Sequence, residues 1–238
     1  MSPETGTLSA GDVLDNPVWA ALTGPHRGFA ELGPAGLAAR YSADASPFAA
    51  LADPEDPRAW ADLAALTGPD EGVWVTGLPT PPPGWATVAT VPGVQLDGRA
   101  VRAEAAPEAV PLGRDDVPEM LDLVELTRPG PFLDRTVELG TYLGIRHEGR
   151  LVAMAGERMR PAGWSEISAV CTHPDHRGRG LAGRLIRAVA ASVRERGDSP
   201  FLHAAAENTG AVRLYESMGF TLRRRPLFLG LRTPPAGA

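Results

Sequence analysis

The run Arg177-Gly-Arg-Gly180-Leu-Ala182-Gly183 follows a β-type apolar stretch, residues 164–172, and leads into an amphipathic one. Apolar residues recur there at Ala182, Leu185, Ile186, Val189, Ala190 and Val193, the spacing of one helix face. The order is strand, Gly-rich turn, helix. A helix start carries backbone N–H groups without intrahelical partners, together with the positive end of the macrodipole. Gly178 and Gly180 remove side chains where those N–H groups would have to meet a ligand. The chemistry this suits is capture of a phosphate or pyrophosphate. Arg177 and Arg179 add positive charge to it. The loop lacks the Lys-Ser/Thr ending of the ATPase phosphate loop and is one Gly short of the dinucleotide fingerprint. Inside the preceding strand stands Glu166, a residue type depleted from strand interiors. By the strand period it shares a face with Ser168, Val170 and Thr172, while Cys171 points the other way.

A second pattern follows: Asn208-x-x-Ala211-x-x-Leu214-Tyr215-x-x-x-Gly219-Phe220. The spacing Arg177-x-x-Gly180-x-Ala182 resembles the coenzyme A pyrophosphate loop of the GNAT N-acetyltransferases, and the second pattern resembles that family's other signature. The wording His173-Pro-Asp-His-Arg-Gly-Arg-Gly180 is most similar to the FR47-like branch. The resemblance covers residues 110–231. It implies an acetyl-CoA-dependent N-acetyltransferase, in which an amine attacks the thioester directly within a ternary complex. No metal is implied. The amides of Gly178, Arg179, Gly180, Ala182 and Gly183 would take the pyrophosphate, with Arg177 beside them. Val170, Cys171 and Thr172 would meet pantetheine through their backbone, with the Val170 N–H polarising the carbonyl. Asn208 would either touch the cofactor or act only as a helix cap. Tyr215 would protonate the departing thiolate, because a phenol near pKa ~10 keeps its proton where a thiol near ~8.5 has begun to lose it. Glu166 would be the base, although a carboxylate near pKa ~4 needs burial or a relayed water to take a proton from an amine. His203 and Glu207 are the alternative bases. Phe132 and Arg135 lie in the segment that borders the acceptor pocket in this family.

The helix and strand pattern gives an α/β fold (α+β, with a mixed sheet). A GNAT domain is expected over residues 106–238. A smaller α/β domain is expected over residues 1–105, either a wall on the acceptor side or a degenerate copy of the same fold. The expected early elements are a helix at 15–22 capped by Asn16 or Asp15 with Pro17 in its first turn, a short helix at 35–41, a helix at 58–67, and strands at 73–75, 85–91 and 94–96. Residues 1–12 read as a loose terminus, 79–84 as a stiff Pro-rich loop, and 97–109 as a linker. Strands at 109–112, 141–147, 150–158, 164–172 and 200–205 should follow, with a closing hairpin around residues 224–226. The net charge of −6 argues against nucleic-acid binding. Hydrophobic content of 43% and charged content of 22% fit an ordinary globular chain. A single cysteine excludes an intrachain disulfide, and no long apolar span appears, so a cytoplasmic location without membrane partners is expected. All 23 basic residues are Arg, so the chain cannot acetylate a lysine of its own. A small-molecule amine is the expected acceptor; a protein or peptide N-terminus, or a non-catalytic acyl-CoA-binding regulator, are the alternatives. Monomer and homodimer are both compatible with the sequence.

Overall fold

The computed structural model describes residues 13–77 and 80–236. The expected loose terminus, 1–12, and the start of the Pro-rich loop lie outside the described residues. Helix α1, Pro17–Leu22, opens as its sequence dictates: Asn16 accepts from the Trp19 N–H, and Pro17 fills a position that needs no donor. Strands β1 (Ala30–Leu32), β2 (Ala38–Tyr41) and β3 (Ala49–Leu51) form a small antiparallel sheet. The helix expected at 35–41 is therefore a turn and a strand. Gly36 takes φ +70, and the amides of Ala35, Leu37 and Ala38 all donate to the buried Asp62 carboxylate. Asp62 belongs to helix α2, Pro57–Thr67, which Asp56 caps and Gly68 ends.

Strands β4 (Gly72–Thr76) and β5 (Ala86–Asp97) join the main sheet. Next come β6 (Val110–Leu112), α3 (Val117–Thr127), β7 (Tyr142–His147), β8 (Arg150–Glu157) and β9 (Trp164–Thr172). Helix α4 (Leu181–Glu195), β10 (Ser199–Ala205), α5 (Thr209–Ser217), β11 (Thr221–Arg224) and β12 (Leu227–Arg232) complete the chain. The nine-stranded sheet runs β4-β12-β5-β10-β9-β8-β7-β6, with β11 also on β5. It is mixed: β10 runs parallel to β9 and antiparallel to β5. Glu148 and Gly149, both at positive φ, make the expected tight turn between β7 and β8.

Two expectations give way here. The two strands expected at 85–91 and 94–96 are one twelve-residue strand, β5. The expected closing hairpin does not pair with itself: β11 bonds β5 at Gln95–Asp97 and β12 bonds β5 at Ala86–Pro92. Both lie end to end along one edge of β5, whose other edge takes β10. Strands from both sides of the expected 105/106 boundary thus share one sheet. Helix α4 buries Leu185, Ile186, Val189, Ala190 and Val193 against β7–β10, about 1.5–3 kcal/mol for each larger side chain. Among the described residues, no helix is long and apolar enough to cross a membrane.

Candidate active site

The Gly-rich turn forms as the sequence requires. Gly178 and Gly180 take φ +74 and +72, a left-handed conformation that any side chain would strain. The first backbone bond of α4 runs from Arg184 N–H to Gly180 O, which leaves the Leu181, Ala182 and Gly183 amides ahead of it. These amides border a cavity of about 400 Å³, also lined by Thr172, His176, Arg177 and, from the α5 side, Leu214 and Met218. Arg177 Nε donates to Thr172 O, and Arg179 Nη2 to Asp175 O. Both guanidiniums brace the turn.

Strands β9 and β10 pair only as far as Phe201 opposite Glu166. Beyond that point they part, and a chamber of about 600 Å³ opens beside them, lined among others by Val170, Ala204, Asn208, Ala211 and Tyr215. Helix α5 borders both this chamber and the loop cavity. At the same level β9 bulges. Ala169 has φ +52, and the pairing with β8 slips between Met154 and Gly156, so two β9 residues oppose one on β8. The bulge corrects the expected strand face. Ile167 and Val170 both pack toward the α4 core, while Ala169 and Cys171 pack with Met120 and Leu123 of α3. Val170 therefore leaves the face of Glu166, and Cys171 joins it. Burial pushes the Cys171 thiol up to about 11.

Tyr215 lines the chamber with its side chain mostly buried, and burial pushes its phenol up to about 12. The Schellman-type end of α5, with Phe220 N–H on Tyr215 O and Gly219 at φ +99, sets the Phe220 ring edge-on to it. Asn208 caps α5 through the Ala211 N–H and also lines the chamber.

Glu166 is fully buried and does not reach the chamber itself. Its carboxylate takes two bonds from Arg158, Nε to Oε2 at 2.9 Å and Nη2 to Oε1 at 2.8 Å, and His203 Nδ1 lies 2.8 Å from Oε1. Arg158 and His203 both line the chamber, so they stand between it and the carboxylate. Burial alone would raise the Glu166 pKa, but Arg158 and His203 outweigh it and hold it down at about 2. Gln95 Nε2 donates to Leu14 O and contacts His203 Nε2, while its Oε1 accepts from Arg223. That orientation makes His203 Nε2 an acceptor and directs its Nδ1–H at Glu166. Glu207 is exposed and outside the chamber lining.

Neither acceptor-loop candidate lines the chamber. Phe132 is buried edge-on against Tyr142, and Arg135 is held by Asp44 and Glu138. Their neighbours Arg128 to Pro131 line it instead, since the left-handed Arg128 turns the chain across the end of α3. Sequence reading also missed Phe48, Trp74, Glu125 and Arg158. For Arg158 a signal existed: a turn at 161–163 sets it opposite Glu166. Among the described residues, no group of three or more His, Cys, Asp or Glu is arranged to hold a metal ion.

The FR47-like family model matches residues 142–229. A solved structure from Novosphingobium aromaticivorans, described as a GNAT-family acetyltransferase, is 42% identical, with a TM-score of 0.83 over 92% of this chain and 98% of that one. The chain belongs to the GNAT family of N-acetyltransferases. A GNAT structure from Kribbella flavida, 17% identical with a TM-score of 0.59 over 93% of this chain and 97% of that one, shares the fold. Two curated acetyltransferases match shorter stretches of the chain. A mycothiol acetyltransferase from Thermobispora bispora is 42% identical over 83 residues, and the N-alpha-acetyltransferase RimI from Mycobacterium tuberculosis is 36% identical over 90. Those alignments cover 34% and 35% of this chain, and 27% and 56% of the relatives' own lengths.

Proposed function

We propose that this GNAT chain is an acetyl-CoA-dependent N-acetyltransferase acting on a primary amine of a small molecule. The observation that carries the reading is that α5 borders both the cavity at the start of α4 and the chamber where β9 and β10 part, which Tyr215 lines. The residues suit coenzyme A: left-handed glycines, unpaired helix-start amides and a bulged strand beside the gap. When bound, acetyl-CoA supplies a thioester whose carbonyl carbon takes the amine lone pair and whose C–S bond breaks.

In this reading the amides of residues 178–183, with Arg177 and Arg179, hold the diphosphate. The backbone of residues 170–172 aligns the pantetheine arm, and the bulge turns the Val170 N–H toward the carbonyl oxygen. Asn208 fixes the start of α5 and hence the reach of Tyr215. Tyr215 Oη holds a proton for the departing sulfur, and burial ensures that it keeps that proton throughout the neutral range. Glu166 becomes a positioning residue, because its oxygens are already committed to Arg158 and His203. We assign removal of the amine proton to Glu125, the one carboxylate among the chamber-lining residues, acting through water. The N-terminal half acts as the acceptor-side wall, contributing Phe48, Trp74 and Val91.

The test combines acetyl-CoA binding by calorimetry with thiol release across a panel of small amines and peptides. Binding with turnover of small amines supports the reading. Turnover of peptide N-termini alone would shift the acceptor class toward that of the M. tuberculosis relative's name. Binding without any turnover would make the chain a non-catalytic acyl-CoA sensor.

A further inference from the structure

Arg158 brings a permanent charge deep into the chamber wall, beside His203. Its side chain is 8% exposed, and its guanidinium lies over the Phe48 ring at 4.9 Å. Two of its five N–H donors go to Glu166, through Nε and Nη2. Nη1 has no hydrogen bond among the described residues, and Arg158 contributes to the chamber wall. A guanidinium cannot shed its proton to relieve this. Glu166 only partly answers the charge, since its Oε1 is shared between Arg158 and His203. Around this point Phe48, Trp74, Val91 and Phe228 form an apolar wall. A ligand in this chamber meets a buried donor that wants an anionic oxygen, next to space that wants hydrocarbon.

An amine acceptor arrives mostly as an ammonium. Beside a buried guanidinium it is repelled, unless it brings its own negative charge. An α-amino acid does so: its carboxylate can take Nη1 while its net charge stays zero. We propose that the acceptor is a free α-amino acid with an apolar or aromatic side chain, its carboxylate bound by Arg158 and its side chain lodged against Phe48, Trp74 and Phe228. This rests on the acetyl-transfer reading above and adds the substrate class to it. Acetylation then replaces one amine N–H with an amide bond and leaves the carboxylate untouched, so Arg158 holds substrate and product by the same handle.

The experiment compares matched acceptors with the full chain and acetyl-CoA: phenylalanine against phenethylamine, leucine against isopentylamine, and phenylalanine against its carboxamide and a Phe-Gly-Gly peptide. Loss of one charge-assisted bond to a buried guanidinium predicts a kcat/KM roughly 10- to 100-fold lower for each partner lacking the carboxylate. In the double variant Arg158→Met/Glu166→Gln, which removes both charges of the pair, that ratio should collapse toward one. If the double variant does not fold, the wild-type ratios decide alone. Equal or better turnover of the decarboxylated amines overturns the proposal while leaving acetyl transfer standing, and so does a preference for the peptide. An absence of acetyl-CoA binding and of thiol release with every amine removes both readings together.

Discussion

Replacing Glu166 with Gln tests the buried charge cluster most directly. The substitution keeps the shape and removes the charge. It leaves Arg158 with its side chain 8% exposed, permanently cationic, and facing an amide in place of a carboxylate. Breaking one side of a buried pair costs about 3–5 kcal/mol, because the other charge stays buried without compensation. For a chain of this size each kcal/mol lowers Tm by about 2–4 °C, so a fall of ~6–20 °C is expected. Reversible denaturation at pH 8 without ligand would read it. Arg158→Met/Glu166→Gln should recover most of the loss, since an uncharged pair of similar volume needs no counterion. The pH dependence supplies the sign. The folded-state pKa of Glu166, about 2, lies below the ordinary value of 4.5. Its contribution is therefore complete above about pH 4.5 and is lost as pH falls toward 2; the Gln variant should lack that part of the acid transition. Any active Glu166→Gln protein should keep the wild-type shape of kcat/KM between pH 5 and 8, because a carboxylate held at about 2 does not titrate there. An unchanged Tm, or a change in that profile alone, would refute the pairing and return the base to Glu166.

Three further outcomes follow from the site. Gly180→Ala, at φ +72, should cost about 1–2 kcal/mol in backbone strain and weaken acetyl-CoA binding by calorimetry, with acceptor KM little altered. Tyr215→Phe should lower kcat by ~10²-fold or more at unchanged acetyl-CoA affinity; with the wild-type phenol at about 12, kcat should show no alkaline fall below pH 10 from this group, and steady-state rates across pH measure both. Trp74→Ala should raise acceptor KM ~10-fold and leave the dissociation constant for acetyl-CoA in place, separating the N-terminal wall from the cofactor path.

What could be read from the sequence was what is local. Asn16, Asp56 and Gly149 act on neighbours within a turn, and the left-handed glycines of the Arg177–Gly183 loop announce their own geometry. The stripe on α4 was legible because one face meets one sheet. The failures are non-local. Residues 35–41 are Ala-rich and favour helix by propensity, yet Asp62, 24 to 27 positions away, captures their amides. Strand β5 finds β10 and β12 more than a hundred residues later, and no periodicity encodes a partner. At the candidate site, Glu166 stood out by type, but its neighbour Arg158 depends on the register of a hairpin, and the bulge at Ala169 flips every face beyond it. A two-fold count cannot see an extra residue.

The threading of β5 between β10 and the β11–β12 edge has a consequence for how the chain comes into being. During synthesis β5 leaves the ribosome long before either neighbour exists, so its backbone N–H and C=O groups must wait, wetted or chaperoned, until residues 199–232 are made. Premature termination anywhere before residue 199 yields a polypeptide with an unclosed, adhesive margin, and expressing residues 106–238 alone would bare the reciprocal margins. The two fragments would be expected to be insoluble apart and to rescue each other when produced together.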